Sequence, residues 1–396
     1  MNTRLATEID AGRALLPNVG ANFVDLMRAI GTLTGVPDVD ASADSAALAT
    51  QIGAHEHIVF VLADGLGMAL LEKLPADSFL RQHLARELRA VFPATTACAL
   101  TSMATGLWPG EHGMPGWWSY LAESGLSVTS LPFIERFTHT SLTTLGVKTE
   151  DLWPCPVLMS RMTHEPLLLQ PEEFWDSTFS RYIRGGRAGA GYRKMPDVIR
   201  RIATRLATAT GPTYTMLYIT DPDHSAHNFG VGSEHTMAAL RQLDYHLAAL
   251  ATAINGTARL IITADHGLVD VTEKNRLRLF AGDPLLELLV APPSGDSRVT
   301  HFHVKPGNET TFAAQFIARF GEVMLLLTQQ ELEESGLLGP GALSPLAKSR
   351  FGAFIGIALH PVSFRYYRTV KDTENEEIGR HSGFSPSEMR IPLILA

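Results

Sequence analysis

Residues 214–230 read YTMLYITDPDHSAHNFG. Tyr214 to Ile219 is an apolar run with the length and composition of one buried strand of a parallel sheet. Polarity then arrives abruptly as Thr220-Asp221-Pro222-Asp223, with His224 and His227 behind it. A helix beginning here sets Asp223 and His227 on one face, one turn apart. A carboxylate and an imidazole so placed at the end of a buried strand make half of a metal site. The plainer alternative is that Asp221 or Asp223 caps the helix while the histidines face solvent.

The pattern recurs on both sides of this stretch. His57–Leu71, HIVFVLADGLGMALL, is a β-branched apolar run closed by Asp64-Gly65. Taken alone, Asp64 reads equally well as part of a simple turn. In Arg259–Gly267 the strand-like LIITA ends in Asp265-His266-Gly267. Parallel strands place their carboxyl ends on one rim, where open α/β sheets bind ligands. Three such strand ends point to one shared metal site rather than to three independent caps.

Val91–Gly113, VFPATTACALTSMATGLWPGEHG, gathers Thr95, Thr96, Thr101, Ser102 and Thr105 among small residues where a loop runs into a helix. A hydroxyl at a helix N-terminus can attack phosphorus, with backbone N–H groups receiving the developing charge. No Lys or His lies close by in sequence to act as base, so a metal has to lower the hydroxyl's pKa. The alternative role for the cluster is capping and close packing. There is no GxxxxGK[ST] loop, which excludes P-loop chemistry.

The chain of 396 residues is 45% hydrophobic and 19% charged, enough for one large α/β domain with an insertion. A net charge of −8 without a dense Lys/Arg tract argues against binding a nucleic-acid duplex. The two cysteines, Cys98 and Cys155, form no CxxC pair, which favours a reducing compartment. The opening MNTRLATEIDAGRALL has no continuous apolar core of a signal peptide, and no run approaches the ~20 residues of a membrane span. A soluble, cytoplasmic protein without membrane partners is expected.

In order, residues 1–50 are expected to be a lead-in with a helix over Asn22–Leu33, and 51–297 the catalytic α/β core. Residues 298–348 read as a small inserted βαβ-like cap, and 349–396 return to the core. His301 and His303 alternate on a strand and are assigned a surface role. The aromatic-rich Met114–Tyr192 stretch, with Trp117, Trp118, Phe137 and Trp153, either lines a substrate cleft or covers the sheet edge. Arg350–Tyr367 reads as hairpin-like strands, and His381 follows in a Gly/Ser-flanked loop.

The ordered set Asp64, Thr96, Asp223-x-x-x-His227, Asp265-His266-Gly267 and His381 resembles the alkaline phosphatase superfamily, and within it the nucleotide pyrophosphatase/phosphodiesterase (type I phosphodiesterase) branch. Phe92-Pro93-x-x-Thr96, Thr105-Gly106-Leu107-x-Pro109 and His112-Gly113 add to the match, which runs from about Ile58 to the C-terminus. The resemblance implies a three-layer sandwich around a central, mostly parallel sheet. It also implies two divalent metal ions, zinc above all, one on Asp223, His227 and His381 and the other on Asp64, Asp265, His266 and Thr96. It further implies hydrolysis of a small-molecule phosphoric diester or phosphoanhydride through a phospho-threonine on Thr96, with Thr95 as the fallback nucleophile. Two positions depart from the family pattern: Ala97 stands where an aromatic often stacks on a nucleobase, and Trp117 where a phosphate-binding Asn is usual. A phosphomonoesterase or a phosphonoacetate-hydrolase-like enzyme on the same metals is the alternative. Either would need basic side chains at the phosphoryl oxygens, with Arg136, Arg161 and Lys194 as candidates. Cys98-Ala99-Leu100-Thr101 lacks the Cys-x-Pro-x-Arg of sulfatases.

Overall fold

A computed structural model describes residues 2–373 and 376–396. The apolar runs read above form the centre of a seven-stranded sheet, in the order Leu84–Arg89, Arg390–Leu395, Arg259–Thr263, His57–Ala63, Thr213–Ile219, Glu165–Pro171, Ala188–Tyr192. The last five are mutually parallel. Arg390–Leu395 runs antiparallel to both of its neighbours. The architecture is therefore α/β with a mostly parallel central sheet, as expected. Every residue of Thr213–Ile219 is buried, which is why its sequence shows no polar alternation.

The helix expected over Asn22–Leu33 is Phe23–Leu33, with the Asn22 side chain capping the Asp25 N–H. It is almost wholly buried and packs on the helix Thr96–Thr105. The residues before 51 thus contribute to the main hydrophobic core.

Residues 298–348 do not stand alone. Val299–Phe302 and Met324–Thr328 both pair antiparallel with Phe354–Ala358, in a second seven-stranded sheet completed by Ser294–Gly295, Trp118–Leu121, Leu126–Thr129 and Ile134–Glu135. The helix Glu309–Phe320 covers this sheet through Phe312 and Phe316, which pack on Phe302, Phe354 and Phe364. The second sheet joins segments nearly two hundred residues apart, a pairing that no local pattern encodes.

The hairpin expected over Arg350–Tyr367 does not form. Phe354–Ala358 lies in the second sheet, whereas Ser363–Tyr367 pairs in parallel with Arg276–Phe280. Phe354–Ala358 already has a partner on each edge, Val299–Phe302 and Met324–Thr328, which leaves no edge for Ser363–Tyr367; Arg298 Nη1 donates to the His360 and Val362 carbonyls at the turn between the two strands. His301 and His303 are buried rather than superficial. His301 Nε2 lies 3.0 Å from the Pro115 carbonyl, and His303 Nε2 lies 3.3 Å from Ser294 Oγ.

Among the described residues no helix is long and apolar enough to cross a membrane.

Candidate metal and catalytic centre

Three adjacent parallel strands deliver the strand-end residues to one rim. Ala63 pairs with Ile219, and Leu62 with Thr263, so Asp64, the Thr220–Asp223 turn and Asp265 emerge side by side. The Asp64 N–H donates to the Ile219 carbonyl at 2.9 Å, and the Asp223 N–H to the Asp64 carbonyl at 3.0 Å. On the other side the backbone approaches to contact: a Cβ on Gly67 would lie 2.6 Å from Gly267 Cα, and one on Gly267 would lie 2.1 Å from the Ser387 carbonyl oxygen. Glycine at both positions lets the Asp64 and Asp265-His266 loops pack directly together.

Two groups that could each hold a metal ion result: Asp223, His227 and His381, and Asp64, Asp265 and His266. Within each, one donor atom per residue lies within 4.8 Å of the others. The capping alternative is divided between two residues. Asp221 Oδ1 accepts from the Ser225 N–H and hydroxyl, whereas Asp223 Oδ2 lies 3.2 Å from His227 Nε2. His224 is exposed and takes no part. His381, remote in sequence, joins the groups: its ring stacks on His266 at 3.8 Å and meets His227 edge-on at 5.1 Å.

All three imidazoles are oriented in the same way. Nδ1 faces a backbone carbonyl: Gly379 for His227 at 2.8 Å, Gly267 for His266 at 3.2 Å, Ala94 for His381 at 3.2 Å. Donation from Nδ1 leaves Nε2 as the free lone pair, the arrangement in which metal-binding histidines are held. The carboxylates show the complementary feature. Asp64 Oδ2 accepts from the Tyr218 hydroxyl at 2.5 Å, and Asp265 Oδ1 from the Gly65 and His266 N–H groups. Asp64 Oδ1, Asp223 Oδ1 and Asp265 Oδ2 are buried without a partner.

Three buried oxygens without donors carry a heavy desolvation penalty unless a cation meets them. Burial, then the charges of Asp265 and Asp223, push the Asp64 carboxyl well above its usual range, and burial raises Asp265 as well. Burial opposes charge on His227, yet Asp223 beside it lifts its pKa to about 9. Burial and then His266 drive His381 well below the ordinary range. Mixed oxygen and nitrogen donors, crowded acids and aligned Nε2 atoms together fit divalent cations in both groups.

Thr96 begins the helix Thr96–Thr105 and is the one residue of Val91–Gly106 that is not buried. Its Oγ1 lies 3.2 Å from His266 Nε2. Thr95, by contrast, is buried and donates to Asp296 Oδ2 at 2.7 Å.

Tyr218, Asp296 and Glu377 escaped the sequence reading. Tyr218 lies in a strand where everything is buried, so its hydroxyl had no distinguishing pattern. In the aromatic-rich stretch Trp153 packs into the core with Phe133, Phe179 and Tyr182, whereas Trp118 lies beside Arg136 on the second sheet. Trp117 is exposed. Arg161 donates to the Pro37 carbonyl, and Lys194 is exposed ahead of the helix Met195–Thr208 at the sheet edge.

Fold and site together define an α/β protein with a two-part carboxylate–imidazole centre at its strand ends. The sequence profile of the Type I phosphodiesterase / nucleotide pyrophosphatase family matches residues 58–384, and the chain belongs to that family. Among curated protein sequences none matches. Among solved structures the chain is similar to murine ectonucleotide pyrophosphatase/phosphodiesterase 5, in an inactive form in complex with AMP, with a TM-score of 0.63 and 16% identity over 85% of this chain and 87% of that one. The human protein of the same name gives a TM-score of 0.62 at 18% identity, with coverage of 85% and 87%. Phosphonoacetate hydrolase from Sinorhizobium meliloti, in complex with phosphonoformate, gives 0.61 at 16% identity, covering 85% of this chain and 89% of that one.

Proposed function

We propose that the protein hydrolyses a small-molecule phosphoric diester or phosphoanhydride, with Thr96 as nucleophile and two divalent cations, zinc by the donor set, on the two ligand groups. The observation that carries this is the accessible Thr96 hydroxyl at a helix N-terminus, 3.2 Å from His266 in the Asp64 group. Cations held there supply Lewis acidity that offsets charge developing on the phosphoryl oxygens. Thr96 Oγ1 forms a bond to phosphorus as the bond to the leaving oxygen breaks, and the departing alcohol or phosphate carries away the hydroxyl proton. The Ala97 N–H and the helix N-terminus face the accumulating negative charge. Water then cleaves the phospho-threonine and restores the hydroxyl. With Thr95 bound to Asp296, Thr96 is the hydroxyl of the pair that meets His266. Two free cysteines, one buried and one half-buried, accord with a reducing, cytoplasmic setting. Phosphonate hydrolysis at the same centre is the second reading, supported by the likeness to phosphonoacetate hydrolase.

The test compares bis-p-nitrophenyl phosphate with p-nitrophenyl phosphate, zinc added, for the wild type and Thr96→Ala. Faster diester turnover, lowered about 10³-fold or more in Thr96→Ala, is expected. Chelation should lower the thermal midpoint of Thr96→Ala as it does that of the wild type, because the Asp and His ligands remain. Turnover that survives in Thr96→Ala refutes the assignment of Thr96.

A further inference from the structure

We infer that Tyr218 sets which ion the Asp64 group prefers: its hydroxyl occupies one oxygen of Asp64, which fits the group to zinc and against ions that take more oxygens. The inference rests on the two-cation reading proposed above and deepens it. Tyr218 acts through Asp64, as a positioning residue.

Each carboxylate of this group has one oxygen engaged and one left over. The Tyr218 hydroxyl donates to Asp64 Oδ2 at 2.5 Å, while Asp64 Oδ1 is buried without a partner. Asp265 Oδ1 accepts from the Gly65 N–H at 3.1 Å and the His266 N–H at 3.0 Å, while Asp265 Oδ2 is buried without a partner. The two acids reach the same state by different routes. At Asp265 the donors are backbone groups that every sequence carries; at Asp64 the donor is a side chain, and one substitution removes it. Tyr218 is fixed where it stands. It lies in the buried strand Thr213–Ile219, opposite Leu62 of the strand that leads into Asp64. Its carbonyl accepts from the Tyr192 hydroxyl at 2.8 Å. A phenol hydroxyl so enclosed keeps its acceptor, because a buried donor left unpaired is costly.

The oxygens left over, Asp64 Oδ1 and Asp265 Oδ2, join His266 Nε2 and, 3.2 Å from it, Thr96 Oγ1. One donor from each of these residues matches in number the tetrahedral shell of zinc. Asp64, Asp265 and His266 are all buried, so an ion there draws its shell mainly from the protein. Manganese and calcium take octahedral or larger shells, and such shells are readily filled by carboxylates that bind through both oxygens. The Tyr218 hydroxyl denies them the second oxygen of Asp64. Outer hydrogen bonds of this kind hold a ligand in orientation and tune the ion it binds.

The zinc-loaded full chain is titrated with a chromophoric chelator, and the manganese-loaded chain likewise, for the wild type, Tyr218→Phe and Tyr192→Phe. In Tyr218→Phe one of the two zinc ions should bind about 10- to 100-fold more weakly and the other as before. Manganese in the same group should weaken less than about threefold, so that the advantage of zinc shrinks. Tyr192→Phe removes a hydroxyl from the Tyr218 carbonyl and not from Asp64, and should leave both metals unchanged. Zinc release identical to that of the wild type in Tyr218→Phe overturns the inference. Equal weakening of both zinc ions, or of zinc and manganese alike, overturns it too, as does a Tyr218→Phe chain without a thermal unfolding transition, since the hydroxyl is then a general support. Each of these outcomes leaves the hydrolytic function and its cations standing. A wild-type chain that holds fewer than two zinc ions overturns the two-cation reading and this inference together.

Discussion

Arg298→Met is expected to destabilise the fold and disorder the centre at the same time. Arg298 is 1% exposed and Glu388 0% exposed. Arg298 Nε and Nη2 reach the two Glu388 oxygens at 2.6 and 2.9 Å. Glu388 also accepts from the Gly383 N–H at 2.8 Å and the Ser385 hydroxyl at 2.6 Å, while its carbonyl accepts from the Gly267 N–H at 2.8 Å. The pair therefore clamps the loop that carries His381 against the loop that carries Asp265 and His266. Met keeps the apolar stem but leaves a buried carboxylate without its counter-charge, and the His360 and Val362 carbonyls without a donor. Breaking a buried pair in this way costs about 3–5 kcal/mol, a large share of the roughly 5–15 kcal/mol that holds a domain together. Urea unfolding measures the loss, and kcat/KM on the diester should fall with it as His381 shifts. Arg298→Met with Glu388→Gln should be more stable than Arg298→Met alone, because the stranded charge is gone. A loss under about 1 kcal/mol in Arg298→Met, with turnover intact, would refute the clamp.

Two further perturbations test other parts of the molecule. Burial holds His301 at about 3 and His303 at about 4, and burial with the charge of Arg350 holds His112 at about 3. The unfolded chain binds these protons near pH 6.5 and the folded chain refuses them, so stability is full above that pH. It should fall by about 1.4 kcal/mol per pH unit for each histidine as the pH drops towards 4. Denaturant titrations across that window check this, and His301→Gln should flatten the slope; a slope unchanged in that variant counts against it. Gly267→Ala places a methyl 2.1 Å from the Ser387 carbonyl oxygen and should cost about 2 kcal/mol or more while parting the Asp64 and Asp265 loops. An unaltered thermal midpoint and unaltered zinc affinity would show that the backbone yields there without penalty.

The sequence by itself determined the central strands and the residues at their ends. A strand buried on both faces must read as an unbroken apolar run, and a polar residue that ends such a run stands out. Asp64, Asp223 with His227, and Asp265 with His266 were legible for that reason, as was the hydroxyl-rich helix start at Thr96. Only the tertiary structure decided what joins them. Strand order brings Arg259–Thr263, His57–Ala63 and Thr213–Ile219 side by side, and a long return of the chain lays His381 on His266. The difference between Thr95 and Thr96 likewise arises in space: Asp296, a residue two hundred positions away, takes the Thr95 hydroxyl. Arg298 shows why such features stay hidden. An arginine followed by a strand reads as surface, but pairing with Glu388 makes it one of the most deeply buried side chains of the molecule. It also donates to the carbonyls of His360 and Val362, in the turn that leads from one sheet to the other. Local pattern records which face of an element is apolar; it does not record which distant charge satisfies a buried one, because that partner is chosen only when the chain closes on itself.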